Sequence, residues 1–151
     1  MSMISHTQSH DTPGHSLMLC LALARMNGQV NRRLDGKLGA LHGLSFVDFT
    51  VLLELSSQPQ GRLRRVDLAE KLGVTQSAIT RILIPLEKIG LIARERDPRD
   101  ARVGYAAITK TGRRICHEAL ETADEVAQEV WDAQSTDLNA LHATLSRVRR
   151  S

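Results

Sequence analysis

The sequence predicts a mainly α protein with a small β-wing, and three observations carry that expectation. Hydrophobic residues fill 42% of the 151 positions and aromatics only 3%, which leaves the core to Leu, Ile, Val and Ala, an aliphatic set that favours helices. Apolar residues recur at spacings of three and four over most of the chain, the period of a helix with one buried face. Between Leu91 and Thr109 that period gives way to two short extended arms around a cluster of turn-forming residues.

Residues 1–15 carry Ser, Thr and His around Pro13-Gly14 with no apolar period, and are expected to form a disordered arm. From Ser16 the positions Leu23, Met26, Val30, Leu34, Leu38 and Leu41 mark one face of a helix over about 16–41. Its opening stretch, Leu17 to Ala24, is apolar on all sides, which a helix near a chain end tolerates only when a second surface, such as a partner subunit, covers it. A second helix follows Ser45 and runs to about Ser57: the Ser45 hydroxyl can accept from a first-turn N–H, Asp48 can reach back, and Leu44 and Phe49 are placed as a hydrophobic staple.

Pro59-Gln60-Gly61 breaks the chain. Val66, Leu68, Ala69 and Leu72 then give two turns of helix that Gly73 can end in the left-handed conformation. Thr75 caps the next helix, with Ile79, Ile82, Leu83 and Leu86 on one stripe and Gln76, Ser77, Thr80 and Arg81 on the other side. Inside it, Pro85 removes the N–H that would bond to the Arg81 carbonyl, so a kink is expected between them. Gly90 closes that helix. The arms Ile92–Arg96 and Val103–Ile108 make a hairpin over Asp97-Pro98-Arg99-Asp100-Ala101. Thr109 can cap a long helix with Cys116, Ala119, Leu120, Ala123, Ala127 and Val130 on its apolar stripe, and Leu138, Leu141, Leu145 and Val148 mark a last one.

Net charge is only +3, but it is unevenly placed. Residues 62–114 hold thirteen Lys/Arg against six Asp/Glu, the preceding segment four against four, and the following one three against seven. A basic centre between neutral and acidic ends is the footprint of a nucleic-acid-binding module on a separate scaffold. The longest apolar run is far short of a membrane span and lacks a cleavage site, so neither an anchor nor a signal peptide is expected. Cys20 and Cys116 are too far apart for a metal pair or a disulfide framework, and the cytoplasm is the expected compartment. No Gly-rich phosphate loop, nucleophile elbow or HExxH motif is present, so no enzyme and no cofactor is expected. His6, His10 and His15, like the neighbours Cys116 and His117, do not form a compact ligand set, and His42 and His142 are expected on solvated faces.

Two short helices joined through Gly73, the second polar along one flank, have the size of a helix-turn-helix. Such a helix fits the major groove of double-stranded DNA, where Gln76 can pair with an adenine edge, Arg81 with guanine or phosphate, and Ser77 and Thr80 with either. The hairpin carries Arg94, Arg96, Arg99 and Arg102, more cations than a thin ribbon holds without a polyanion to offset their repulsion. A narrow ribbon can enter a minor groove, and Asp100 can hold the Arg102 guanidinium in its presenting rotamer.

The stretch from Gly90 to Arg102, continued by Ile108-Thr109-Lys110-Thr111-Gly112, resembles the wing signature and following helix start of the MarR family of winged helix-turn-helix regulators. Asp67 to Thr75 is similar to that family's first motif helix and turn, and the likeness extends from about Leu17 onward. The resemblance implies an α-α-β-α-α-β-β-α-α protomer forming one domain over 16–151. Its winged helix-turn-helix would lie at about 45–109 and its dimerisation helices at about 16–41 and 110–150. It also implies a homodimer on an inverted-repeat operator, with Thr75, Gln76, Ser77, Thr80 and Arg81 in the recognition helix and Asp100 and Arg102 as a wing-tip pair. Ala101 stands where the family usually has Arg, so that contact is expected either to be missing or to be supplied by Arg99.

The family further implies a repressor relieved by a small effector, such as an aromatic or phenolic molecule, bound near the junction of dimer and DNA-binding parts. An alternative is thiol-based peroxide sensing at Cys20, since Leu19 to Leu23 resembles the first helix of the family's hydroperoxide-sensing branch. Ala24 and Leu34 replace the tyrosines expected around such a thiol. A cysteine in an apolar run is by itself a small hydrophobe. A third reading uses the same winged helix to contact protein instead of DNA.

Overall fold

The computed structural model describes residues 12–131 and 137–148; the arm expected at 1–15 lies mostly outside them. Among the described residues six helices and three strands follow in order: α1 His15–His42, α2 Phe46–Ser56, β1 Arg62–Arg64, α3 Arg65–Leu72, α4 Gln76–Lys88, β2 Ile92–Arg96, β3 Gly104–Ile108, α5 Lys110–Trp131 and α6 Leu138–Val148. Helix α1 begins at His15, one residue before the expected start at Ser16, with Gly14 at its N-cap.

Local chemistry explains most boundaries. At α2 the Ser45 Oγ accepts from the Asp48 N–H at 3.1 Å while Asp48 Oδ2 accepts from the Ser45 N–H at 2.9 Å, a reciprocal cap. Gly73 ends α3 at φ 66°, which only glycine adopts without strain. Thr109 does three jobs where α5 begins. Its hydroxyl faces the Gly90 carbonyl at 2.7 Å and the Leu91 carbonyl at 3.1 Å, and accepts from the Gly112 N–H at 3.0 Å. Gly112 lies so close to β2 that an added Cβ would overlap the Leu91 carbonyl oxygen, which gives the Thr-x-x-Gly spacing a steric cause. Helix α4 is continuous through Pro85, so the lost hydrogen bond does not end it.

The strands form one antiparallel sheet in the order β1-β3-β2, with Arg62 opposite Ala107 and Glu95 opposite Tyr105. One apolar cluster runs from Leu34 and Leu38 of α1, through Leu52, Leu55, Leu68, Ile79 and Leu86, to Cys116, Ala119 and Val126 of α5. At about 25 cal/mol per Å² of apolar surface, each fully buried Leu contributes roughly 1.5–3 kcal/mol.

The expected stripe of α5 shifts by one residue: Val126 is buried and Ala127 exposed. The buried positions Gly112, Cys116, Ala119, Ala123 and Val126 step by four and three, a 3.5-residue period that drifts from the 3.6 used to place the stripe. His42, expected in solvent, is half-buried with Nε2 at 2.8 Å from Thr122 Oγ1, tying α1 to α5. Among the described residues no single helix is long and apolar enough to cross a membrane.

Candidate nucleic-acid interface

Helix α4 has two unlike faces. Ile79, Leu83 and Leu86 are buried at its back, while Gln76, Ser77 and Arg81 are exposed at its front and Thr80 is half-buried. Thr75 Oγ1 accepts from the Ala78 N–H at 3.1 Å, which satisfies a first-turn donor and starts the helix with Gln76 already projecting. Thr80 Oγ1 donates to the Gln76 carbonyl at 2.9 Å. Its proton is thereby engaged, leaving a lone pair and a methyl group for contact, a narrower role than the sequence suggested.

The wing arginines divide into two kinds. Arg94 is exposed but paired, its Nη2 at 3.6 Å from Glu87 Oε2, and so braces β2 against the end of α4. Arg62 does the same from β1: Nη1 donates to Glu95 Oε2 at 2.9 Å, and the guanidinium lies 4.7 Å from the centre of the Tyr105 ring. Arg102 faces out, its side chain 93% exposed, with Nε donating to Asp100 Oδ1 at 3.3 Å. Arg96 and Arg99 are exposed and make no ion pair among the described residues.

The tip that presents these groups is organised by Asp97. Its Oδ1 accepts from the backbone N–H of Arg99 at 2.7 Å and of Asp100 at 3.3 Å, and its Oδ2 accepts from the Tyr105 hydroxyl at 3.3 Å. Hydrogen bonding from the Arg99 N–H is the main influence holding the Asp97 carboxyl below the usual carboxylate range, with further help from Asp100, Tyr105 and the Arg62 charge.

Between the start of α3, the start of α4 and the base of the wing lies an open groove of about 320 Å³, lined by Arg64, Arg65, Gln76, Thr80, Arg102 and Gly104 among others. Sequence reasoning did not single out Arg64 and Arg65, which it counted only as part of the basic segment. A shallow depression lined by Thr80, Glu87, Ile92 and Arg94 among others lies where α4 meets β2.

Of the two cysteines, Cys20 is exposed on α1 and Cys116 is buried. Burial pushes the Cys116 thiol pKa up, which disfavours the thiolate that redox chemistry needs. No group of three or more His, Cys, Asp or Glu suited to a metal occurs among the described residues.

A model of the MarR family matches residues 44–103, the span from just before α2 to the wing tip. The chain belongs to the MarR family. It is a DNA-binding transcriptional regulator. It is 26% identical over 130 residues to transcriptional repressor MprA of Escherichia coli (strain K12), a match covering 86% of this chain and 73% of that protein. The structure of transcriptional regulator BldR from Sulfolobus solfataricus superposes with TM-score 0.80 at 30% identity, covering 90% of this chain and 96% of that one. A mutant MarR from Escherichia coli complexed with operator DNA shares the fold at TM-score 0.78 and 24% identity, covering 92% and 99%.

Proposed function

We propose that this MarR-family regulator is a repressor that binds an inverted-repeat operator as a homodimer and is released by a small effector. The observation that carries the DNA-reading part is the outward face of α4: Gln76, Ser77 and Arg81 stand exposed beside an arginine wing, on a helix whose back is locked into the core. Gln76 and Arg81 meet base edges in the major groove, with Ser77 and Thr80 as supporting contacts and Thr75 setting the helix start. Arg96, Arg99 and Arg102 lie along the adjacent backbone or minor groove, Asp100 holding Arg102 outward, while Arg94 is engaged by Glu87 at the end of α4.

Support for a dimer comes from the start of α1, where Leu17 is 52% and Leu19 60% exposed, and from Leu138, Leu145 and Val148 of α6, which are also exposed. Two chains burying these leucines against each other would remove apolar surface that a monomer leaves in water. A dimer with two-fold symmetry reads two half-sites in inverted orientation. The repressor assignment rests on the likeness to a named transcriptional repressor. Effector release follows the family resemblance, with the binding site at the junction where Arg113 of α5 donates to the Ser56 carbonyl and hydroxyl at the end of α2.

Selection of duplexes bound from a random pool tests this reading. The expected product is a pair of inverted half-sites about one helical turn apart, with binding released by one member of a panel of phenolic acids. Enrichment of an asymmetric or arbitrary sequence would overturn it.

A further inference from the structure

We propose that Arg64 and Arg65, at the corner where β1 turns into α3, form with Arg102 a second phosphate clasp that grips the DNA backbone beside the recognition helix. This rests on the reading of α4 and the wing as the DNA-contacting head. The clasp is the 320 Å³ groove described above. Three of its lining residues are arginines and none is acidic.

Arg64 is exposed and Arg65 half-buried, and neither makes an ion pair among the described residues. By contrast, Arg62 on the same strand is neutralised by Glu95, and Arg94 by Glu87. The fold therefore pairs Arg62 and Arg94 with carboxylates of neighbouring elements and leaves Arg64 and Arg65 without an ion pair among the described residues, while Arg102 is held only by Asp100 at the exposed wing tip. Arg65 leans across toward the wing: a Cβ placed on Gly104 would sit 3.5 Å from both its Nε and its Nη2. Convergent guanidinium groups repel one another in the free protein, and a tetrahedral anion with its oxygens between them reverses the sign of that interaction.

A backbone phosphate is the occupant the surroundings favour. Gln76 and Thr80 line the same groove, so an anion held there lies within a side chain's length of the helix face that meets base edges. An isolated small anion would engage the arginines but not Gln76, whose exposed amide would stay hydrated. A duplex serves both. The clasp would also set the depth at which α4 enters the groove, because phosphate contacts fix register while base contacts specify.

The experiment measures log K against log salt for the full-length protein on a selected duplex and on a scrambled one. Arg64→Gln and Arg65→Gln are each expected to lower the slope by about 0.9 and the double variant by about twice that, equally on both duplexes. Arg65→Lys keeps the charge and is expected to keep the slope, whereas a purely structural role against Gly104 would make Lys fail along with Gln. Arg114→Gln, on the exposed side of α5, is the control and leaves the slope unchanged. Arg102→Gln and Gln76→Ala report on the head itself. If they alter binding while the Arg64 and Arg65 variants keep the wild-type slope, the clasp is wrong and the head stands. If none of the four alters binding, both fail. Inorganic phosphate titrated by amide chemical shifts covers the other source: saturation at Arg64, Arg65 and Arg102 together with an unchanged DNA slope would overturn the backbone assignment.

Discussion

The front of the winged head and the start of α1 are both left uncovered by the fold, and they are uncovered in opposite ways. The head exposes Arg64, Arg81, Arg96, Arg99 and Arg102 around a polar helix face; the first helix exposes Leu17, Met18, Leu19, Leu21 and Leu23. Clustered exposed cations are stabilised by a polyanion and exposed leucines by more apolar surface, so one chain carries two surfaces suited to different partners. Between them lies an apolar core, and no polar or charged residue is buried among the described residues. That contrast separates the proposed DNA-reading part from the proposed dimer face before any complex is considered.

The largest expected effect breaks the apolar side. Leu19→Glu places a charge on the proposed dimer face without touching the core, and should leave a folded monomer by sedimentation with operator affinity reduced roughly 10²–10⁴-fold, the scale by which linked binding exceeds single-site binding. Retention of the dimer would detach that face from assembly. Next, Gln76→Ala should cost about 1–3 kcal/mol of discrimination at one base pair per half-site and leave scrambled DNA unaffected; equilibrium binding to single-substitution operators reads this directly.

A third prediction concerns the wing tip. The folded pKa of Asp97 lies below its unfolded value, so its contribution to wing stability is fully present above about pH 4 and is lost as pH falls through the folded pKa. The Arg99 and Asp100 amide resonances should accordingly hold their positions at mildly acid pH and shift only below the usual carboxylate range. In Asp97→Asn that transition should be absent. The smallest effect is expected for Arg94→Ala: its partly exposed pair with Glu87 is worth about 0–1 kcal/mol, and the salt slope should stay at the wild-type value. A drop of one in that slope would move Arg94 to the DNA face.

Much of this was legible in the sequence because it is written locally. Ser45 and Asp48, Gly73, Thr75 and Thr109 each announce a boundary within four residues of the groups they satisfy, and the structure uses all of them. The two-faced pattern of α4 was equally plain. What could not be read was contact between distant segments. Charge counting grouped Arg94 with Arg102, but only the packing of β2 against the end of α4 brings Glu87 to Arg94. Arg64 and Arg65 lie nearly forty residues before Arg102, and the β1–β3 pairing unites them in one groove. His42 and Thr122 are eighty positions apart, and a solitary histidine carries no local sign of a partner.

The claim that the basic centre is a DNA-reading head is tested most directly by the salt dependence of binding to a selected operator. If Arg102 and its neighbours neutralise phosphates, log K falls linearly with log salt at about 0.9 per phosphate, and Arg102→Ala lowers that slope by about one. A binding constant indifferent to salt would contradict the reading and favour a protein partner on the same surface.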